Sequence, residues 1–329
     1  MLTPNENTID RFGLTHGQRI AVLVPCFNEE AAIAKVVADF RSALPGAEIY
    51  VYDNNSSDRT AAVAVASGAI VRHELHQGKG HVVRRMFADV EADIYLLVDG
   101  DATYDAPSAP AMIARLLDER LDMVVGARVD QEQAAYRLGH RFGNRMLTGF
   151  VADVFGRTFT DILSGYRVFS RRYVKSFPAL AGGFEIETEL TVHALELGLP
   201  VGEVATPYYA RPVGSVSKLH TYRDGFRILW TITRMYKSER PLRFFGSFAA
   251  ALVIVAVGLA VPIAVTYVQT GLVPRFPTAI LSTGLMLLAS LALTCGLILG
   301  TVTRGRRELK RLAYLAHPGP RPARAPRPD

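Results

Sequence analysis

Two carboxylates separated by one small residue, Asp99-Gly100-Asp101, follow directly on the apolar run Tyr95–Val98. Hard oxygen donors at that spacing suit Mg2+ or Mn2+, which keep several waters and complete their shells with substrate phosphates. Taken alone, Asp-x-Asp is as readily a turn. At the end of a buried strand and beside other polar clusters, metal binding by Asp101 and Asp99 is the expectation. Asp53 closes another apolar run and is followed by Asn-Asn-Ser-Ser-Asp-Arg-Thr. A carboxylate there accepts hydrogen bonds from a ribose or a base edge, while turn formers and a helix cap at Asp58 account for part of the segment. Gln77-Gly78-Lys79-Gly80-His81 is glycine-rich and basic where a helix should begin, so backbone N–H groups and Lys79 can meet a phosphate or a base. It is not a P-loop, and no G-x-G-x-x-G follows the first strand, which argues against a dinucleotide oxidoreductase. Arg137, Arg141 and Arg145 recur at every fourth position and share one helical face, either a clamp for phosphate oxygens or a solvated basic face. His73, His76, His140 and His193 have no obvious acidic partner and read as structural.

These clusters need a scaffold that gathers them. Strand patterns at Arg19–Pro25, Glu48–Asp53, Ala69–His73, Ile94–Asp99 and Met123–Gly126 alternate with helical patterns at Glu29–Leu44, Asp58–Ser67, Gly80–Glu91 and Ala109–Glu119. Such alternation implies an α/β fold with a mostly parallel, doubly wound sheet covered on both faces. Ligands of such sheets sit at the carboxyl ends of the strands. Asn28-Glu29, Asp53 and Asp99-Gly100-Asp101 all fall at those ends.

Two apolar runs, 244–268 and 279–302, close the chain; each is about the 20 residues a bilayer-crossing helix needs, and neither carries a charge. Lys237, Arg240 and Arg243 precede the first, and Arg304, Arg306, Arg307, Lys310 and Arg311 follow the second, whereas Arg275 alone is basic between them. The positive-inside rule puts both flanks, and the domain ahead of them, in the cytoplasm. In the segment 221–240, Arg223, Arg227, Arg234 and Lys237 share one helical edge, with Tyr222, Leu229, Ile232 and Tyr236 opposite. That is the pattern of a helix lying in the headgroup plane or of an ordinary amphipathic surface helix. The net charge of +6 is modest, and no nucleic-acid partner is expected. Cys26 and Cys295 form no disulfide framework, which suits a reducing compartment. The polar N-terminus has no apolar core of a signal peptide. The expected division is a flexible N-terminus over 1–18, a catalytic domain over 19–220, an interfacial helix over 221–243, the hairpin over 244–303, and a basic, Pro-rich tail over 304–329.

In this order the stretches VPCFNEE (24–30), VYDNNSSDRT (51–60), QGKGHVVRRM (77–86), LLVDGDATYD (96–105), VVGAR (124–128), TDILSGYRVFSRR (160–172) and the run from Gly183 to Leu229 resemble the family 2 glycosyltransferases of GT-A fold. The likeness is to polyprenyl-phosphate glycosyltransferases of the dolichol-phosphate mannose synthase, GtrB and ArnC kinds. It implies that Pro25, Asn28, Glu29 and Asp53 hold the base and ribose, with Gly78 and Lys79 nearby. Asp99 would contact the nucleotide and Asp101 would ligate the metal. Arg128, with Arg141 or Arg145, would receive the acceptor phosphate. Asp161, Ser164, Gly165 and Glu185 or Glu187 would line the sugar pocket, and Arg211, Ser217 and Lys218 would lie on a loop closing near the membrane and serve the acceptor phosphate. Several relatives carry Gln two residues beyond the second Asp; here Thr103 stands there, so a hydroxyl or a water must substitute.

The implied reaction is inverting transfer of a hexose from a nucleotide-diphosphate sugar, UDP slightly favoured over GDP, to undecaprenyl or dolichyl phosphate. Relatives of this kind assemble as tetramers, so a homo-oligomer is expected. A processive polysaccharide synthase is the nearest rival, yet it would carry Q-x-x-R-W and further spans, and Trp230 sits in RILW. A non-catalytic, membrane-tethered nucleotide-sugar scaffold would bind the donor without turnover.

Overall fold

A computed structural model describes residues 18–130, 149, 159–180, 182–183, 185–211, 233–234 and 236–320. The chain divides into two compact units, one of residues 1–225 and 310–329, the other of residues 226–309.

In the first unit β1 (Ile20–Cys26), β2 (Glu48–Asp53), β3 (Ile70–His73), β4 (Ile94–Leu97), β5 (Met123–Asp130), β6 (Arg167–Ser170) and β7 (Val201–Tyr208) form one sheet in the order β3-β2-β1-β4-β6-β5-β7. All pairings are parallel except those of β6, which runs against both β4 and β5. β1 and β4 read as unbroken apolar runs because helices cover both faces of the sheet. α1 (Ile33–Ala43) buries Ile33, Val36, Val37 and Phe40, the spacing of one helical face, and α4 (Ala109–Asp118) buries Met112, Ile113, Leu116 and Leu117 in the same way. These side chains join Val22, Val24, Ile49, Val51 and Leu96 in one core. α2 (Thr60–Ala66), α3 (Lys79–Asp89), α5 (Arg171–Ser176) and α6 (Ile186–Leu197) complete the layers.

The antiparallel strand has a consequence for function. Arg167 pairs with Leu97 of β4 and Val125 of β5, so the residues before β6 lie at the carboxyl edge of its neighbours. Arg167 is fully buried and organises that approach: Nε donates to the Ser164 carbonyl at 2.9 Å, Nη2 to that of Ile162 at 2.6 Å, and Nη1 to Thr191 Oγ1 at 2.9 Å. At the other end of the strands, Asp122 accepts from Ser170 Oγ at 2.6 Å, from Arg172 Nη2 at 2.8 Å and from Tyr314 Oη at 2.8 Å, while Lys310 pairs with Glu196 at 2.6 Å.

In the second unit α7 (Pro241–Thr270) and α8 (Phe276–Leu315, of which 310–315 belong to the first unit) are long and apolar enough to cross a membrane. They meet through small residues: Ala249, Ala289 and Ala292 are buried together, and a Cβ at Gly296 would lie 3.1 Å from Phe245 Cβ. Ser282 Oγ donates to the Ala256 carbonyl at 2.8 Å, while large side chains such as Ile254, Leu291 and Val268 point outward. Glu239 holds Arg306 at 2.7 Å. Both helices outrun the apolar spans; α8 continues through the basic cluster to Leu315 instead of ending at Val302. Most of the expected interfacial helix, with Arg223 and Arg227, lies outside the described residues.

Candidate active site

The carboxyl edge of the sheet is built from β2 inward. Asp53, last residue of β2, is buried; its Oδ2 accepts from Ser56 N at 3.3 Å and lies 3.4 Å from His73 Nδ1, while its Oδ1 has no partner among the described residues. His76 Nδ1 likewise lies 3.7 Å from Glu74. The expectation that these two histidines lack acidic neighbours is therefore corrected for both. For His73 the reason is the parallel register, which sets it beside Asp53. Asn54, read only as a turn former, does more: its Nδ2 donates to the carbonyls of Glu74 and His76, both at 2.9 Å, and its Oδ1 accepts from Gly78 N at 2.6 Å. It thereby fixes the glycine-rich segment beside β2. Gly78 has φ +135, and a Cβ there would lie 2.2 Å from the Gly182 carbonyl, so only glycine fits.

Near the end of β1 Pro25 is half-buried, and just beyond the strand Glu29 is buried. Asn28 adopts φ 53 and its Oδ1 accepts from Ser57 N at 2.8 Å, while Glu29 N donates to Thr60 Oγ1 at 2.8 Å. The β1 and β2 loops are thus tied together. Asp58 Oδ1 accepts from Thr60 N at 2.9 Å in a local turn, but the helix begins at Thr60 with Arg59 as its N-cap and no side-chain capping bond, so the cap expected at Asp58 is corrected.

The acidic doublet follows β4. Lys79 Nζ lies 2.5 Å from both Asp99 Oδ1 and Glu187 Oε1. Burial works against the ammonium, but the two carboxylates outweigh it and push its pKa above the ordinary lysine value. Asp101 is buried; Oδ1 accepts from Thr103 Oγ1 at 2.6 Å and Oδ2 lies 2.7 Å from Arg211 Nη2. Burial raises its pKa, the charge of Asp99 adds to that, and Arg211 and Thr103 oppose it. Gly165 approaches so closely that a Cβ would lie 2.5 Å from Asp99 Oδ2.

Arg128, on β5, forks onto Asp161 with Nε 2.7 Å from Oδ2 and Nη2 2.9 Å from Oδ1, and its Cζ lies 5.5 Å from the Tyr208 ring centroid. Among the expected sugar-pocket residues, Asp161 is thus engaged by Arg128. Ser164 is fully buried and donates to the Gly126 carbonyl at 2.6 Å, a structural contact. Glu187 is buried on Lys79, and Glu185 is half-buried at the start of α6. Arg141, Arg145, Ser217 and Lys218 lie outside the described residues. Tyr104 went unread in the sequence, yet its Oη accepts from Gly165 N at 2.9 Å; an aromatic three residues past the second Asp was the available signal.

Among the described residues no group of three or more His, Cys, Asp and Glu side chains forms a metal cage. The donor set of Asp99, Asp101 and the Thr103 hydroxyl still fits a hard divalent ion, because such ions take one or two carboxylates and leave other positions to water and phosphate. The cations Lys79 and Arg211 on these carboxylates show where positive charge is accepted.

The mostly parallel sheet, with its acidic doublet and basic partners at the carboxyl edge, defines a GT-A fold. Residues 21–177 match the model of glycosyl transferase family 2. Glycosyltransferase AglJ of Haloferax volcanii is 37% identical over 251 residues, 76% of this chain and 82% of that protein. Protein RfbJ of Shigella flexneri is 59% identical over 127 residues, 38% of this chain and 98% of that one. A dolichyl-phosphate hexose transferase of Haloferax volcanii is 26% identical over 221 residues, 67% of this chain and 95% of that one. Glucosyl-3-phosphoglycerate synthase from Mycobacterium tuberculosis, solved with Mn2+, UDP and glucosyl-3-phosphoglycerate, shares the fold with a TM-score of 0.58 and 23% identity, over 72% of this chain and 86% of that one. The chain belongs to glycosyl transferase family 2 and is a glycosyltransferase.

Proposed function

We propose that this enzyme transfers a hexose from a nucleotide-diphosphate sugar to the phosphate of a membrane polyprenol, with inversion at the anomeric carbon. The observation that carries the reading is the carboxyl edge itself: a buried acidic doublet with cationic partners, beside a buried Asp53 whose Oδ1 lacks a partner among the described residues. That oxygen is suited to accept an N–H of a base or a ribose hydroxyl. Asp99, Asp101 and Thr103 would hold Mg2+ or Mn2+, which when bound supplies charge neutralisation for a departing diphosphate. Asn54 holds the glycine-rich segment and Lys79 against the donor, and Lys79 fixes the carboxylate of Asp99.

On the acceptor side an oxygen of the polyprenyl phosphate bonds to the anomeric carbon. The bond from that carbon to the diphosphate breaks, and its electron pair leaves with the nucleoside diphosphate. A phosphate monoester, with a second pKa of about 6, is already anionic near neutrality. It therefore needs positioning and partial neutralisation more than a strong base. Arg128, oriented by Asp161, is suited to that role, and Arg141, Arg145, Arg211, Ser217 and Lys218 join it by family likeness. Asp161, Gly165 and Glu185 face the sugar. The apolar helices α7 and α8, with basic residues flanking them, support a lipid acceptor and an inner-membrane enzyme whose catalytic domain and termini are cytoplasmic. The name of the dolichyl-phosphate hexose transferase supports the same acceptor class.

A melting panel of the full chain in detergent with Mn2+ and UDP-glucose, UDP-N-acetylglucosamine or GDP-mannose tests the donor. At about a hundredfold excess over Kd the right donor raises Tm by about 5–10 °C, and chelation abolishes the shift. No shift with any nucleotide sugar would contradict the reading.

A further inference from the structure

The two carboxylates of the doublet are neutralised in different ways. Asp99 is held by Lys79, whose side chain is 10% exposed and is pinned from the other side by Glu187. Asp101 is held by Arg211, whose side chain is 31% exposed. One counter-ion is walled in and the other is at the rim.

Arg211 is also tethered to the doublet. Tyr209 N donates to the Thr103 carbonyl at 2.9 Å, and Tyr208 bridges to Tyr104, so the exit of β7 is stitched just past Asp101. Oδ1 of Asp101 is engaged by Thr103, and Oδ2 is the oxygen that Arg211 holds. A divalent ion reaching Asp101 through Oδ2 meets a guanidinium already there. Two cations crowded on one buried carboxylate repel each other strongly where water is scarce. A diphosphate changes the balance, because its oxygens give the guanidinium a fork-shaped alternative partner.

We propose that Arg211 is the resident counter-ion of Asp101, that it yields this carboxylate to the divalent cation, and that its released guanidinium takes an oxygen of the nucleoside diphosphate. Cation and nucleotide therefore bind as a coupled pair, and the cation alone binds weakly. The inference rests on the donor reading above and goes beyond it by assigning Arg211 to the donor side instead of the acceptor phosphate. Linkage makes the coupling reciprocal: whatever Mn2+ gains from nucleotide, nucleotide gains from Mn2+.

The test uses the full chain in detergent. Mn2+ uptake without nucleotide is read by electron paramagnetic resonance, and the gain in labelled UDP or GDP affinity on adding Mn2+ by equilibrium dialysis. Arg211→Gln is expected to bind Mn2+ alone about tenfold more tightly than the wild type, and to lose a similar factor from the Mn2+-dependent gain in nucleotide affinity. Arg211→Met, a second neutral variant, is expected to behave alike, whereas Arg211→Lys keeps nucleotide-free Mn2+ binding weak. Neutral variants that melt like the wild type yet bind Mn2+ no more tightly, with the coupling intact, overturn the inference alone. Absence of Mn2+ uptake by the wild type, with and without nucleotide, overturns the donor reading and this inference together.

Discussion

Lys79 shows how one side chain holds a site in register. It begins α3, reaches Asp99 past β4, and is gripped from α6 by Glu187. Replacing it with methionine leaves two carboxylates facing each other without their cation, an arrangement that costs about 3–5 kcal/mol when one partner of a buried pair is removed. Lys79→Met should therefore unfold at markedly lower denaturant, and adding Glu187→Gln should restore part of the loss. A double-mutant cycle by chemical denaturation checks this; additive losses would show that Glu187 does not act through Lys79. At this scale the sequence was most informative about residue types and least about partners. Asp53 and Asp99 stood out because each terminates an apolar run, and Asp101 because it lies one residue beyond Asp99-Gly100. That Arg128 forks onto Asp161, and that Arg211 lies on Asp101, depends on contacts between residues far apart in the chain.

Among the elements, β1 to β5 and their helices were legible because apolar strands alternate with amphipathic helices bounded by polar turns. β6 was not. It has four residues, and its Arg167 is fully buried, against the usual preference of arginine for the surface. β7 carries a glycine and a proline that blur its pattern. Yet β6, by running antiparallel, brings residues 161–165 to the site. The joint between α5 and α6 carries its own prediction. His193 of α6 packs between Tyr173 and Phe177, each ring centroid 5.3 Å away, with Nε2 3.1 Å from Ser176 Oγ. Burial, reinforced by the charge of Lys310, lowers its pKa from 6.5 to about 3. Between those values the unfolded chain binds a proton that the folded chain does not, so stability falls as pH drops through that window. Relative to pH 7, His193 should cost about 2 kcal/mol at pH 5. Melting His193→Gln and the wild type at both values checks it: the pH-dependent loss should shrink by that amount in the variant, and an equal loss in both would refute the buried, neutral imidazole.

For the molecule as a whole, the sequence pattern separates an α/β part from two apolar helices. The helix ends were less legible. Beyond Val302 the apolar run stops, but α8 continues with a basic, amphipathic pattern, and Lys310 and Tyr314 make polar contacts within the first unit that hydropathy cannot reveal. The central claim joins a nucleotide-sugar site to a lipid acceptor in one chain. Its most direct test is transfer itself: purified full-length protein with Mn2+, a labelled sugar donor chosen from the melting panel, and undecaprenyl or dolichyl phosphate in detergent, followed by organic extraction and analysis of the lipid phase. The account predicts label in an acid-labile polyprenyl-phosphate sugar of inverted anomeric configuration, lost on chelation and in Asp101→Asn. Donor binding without lipid-linked label for any polyprenyl phosphate would contradict it.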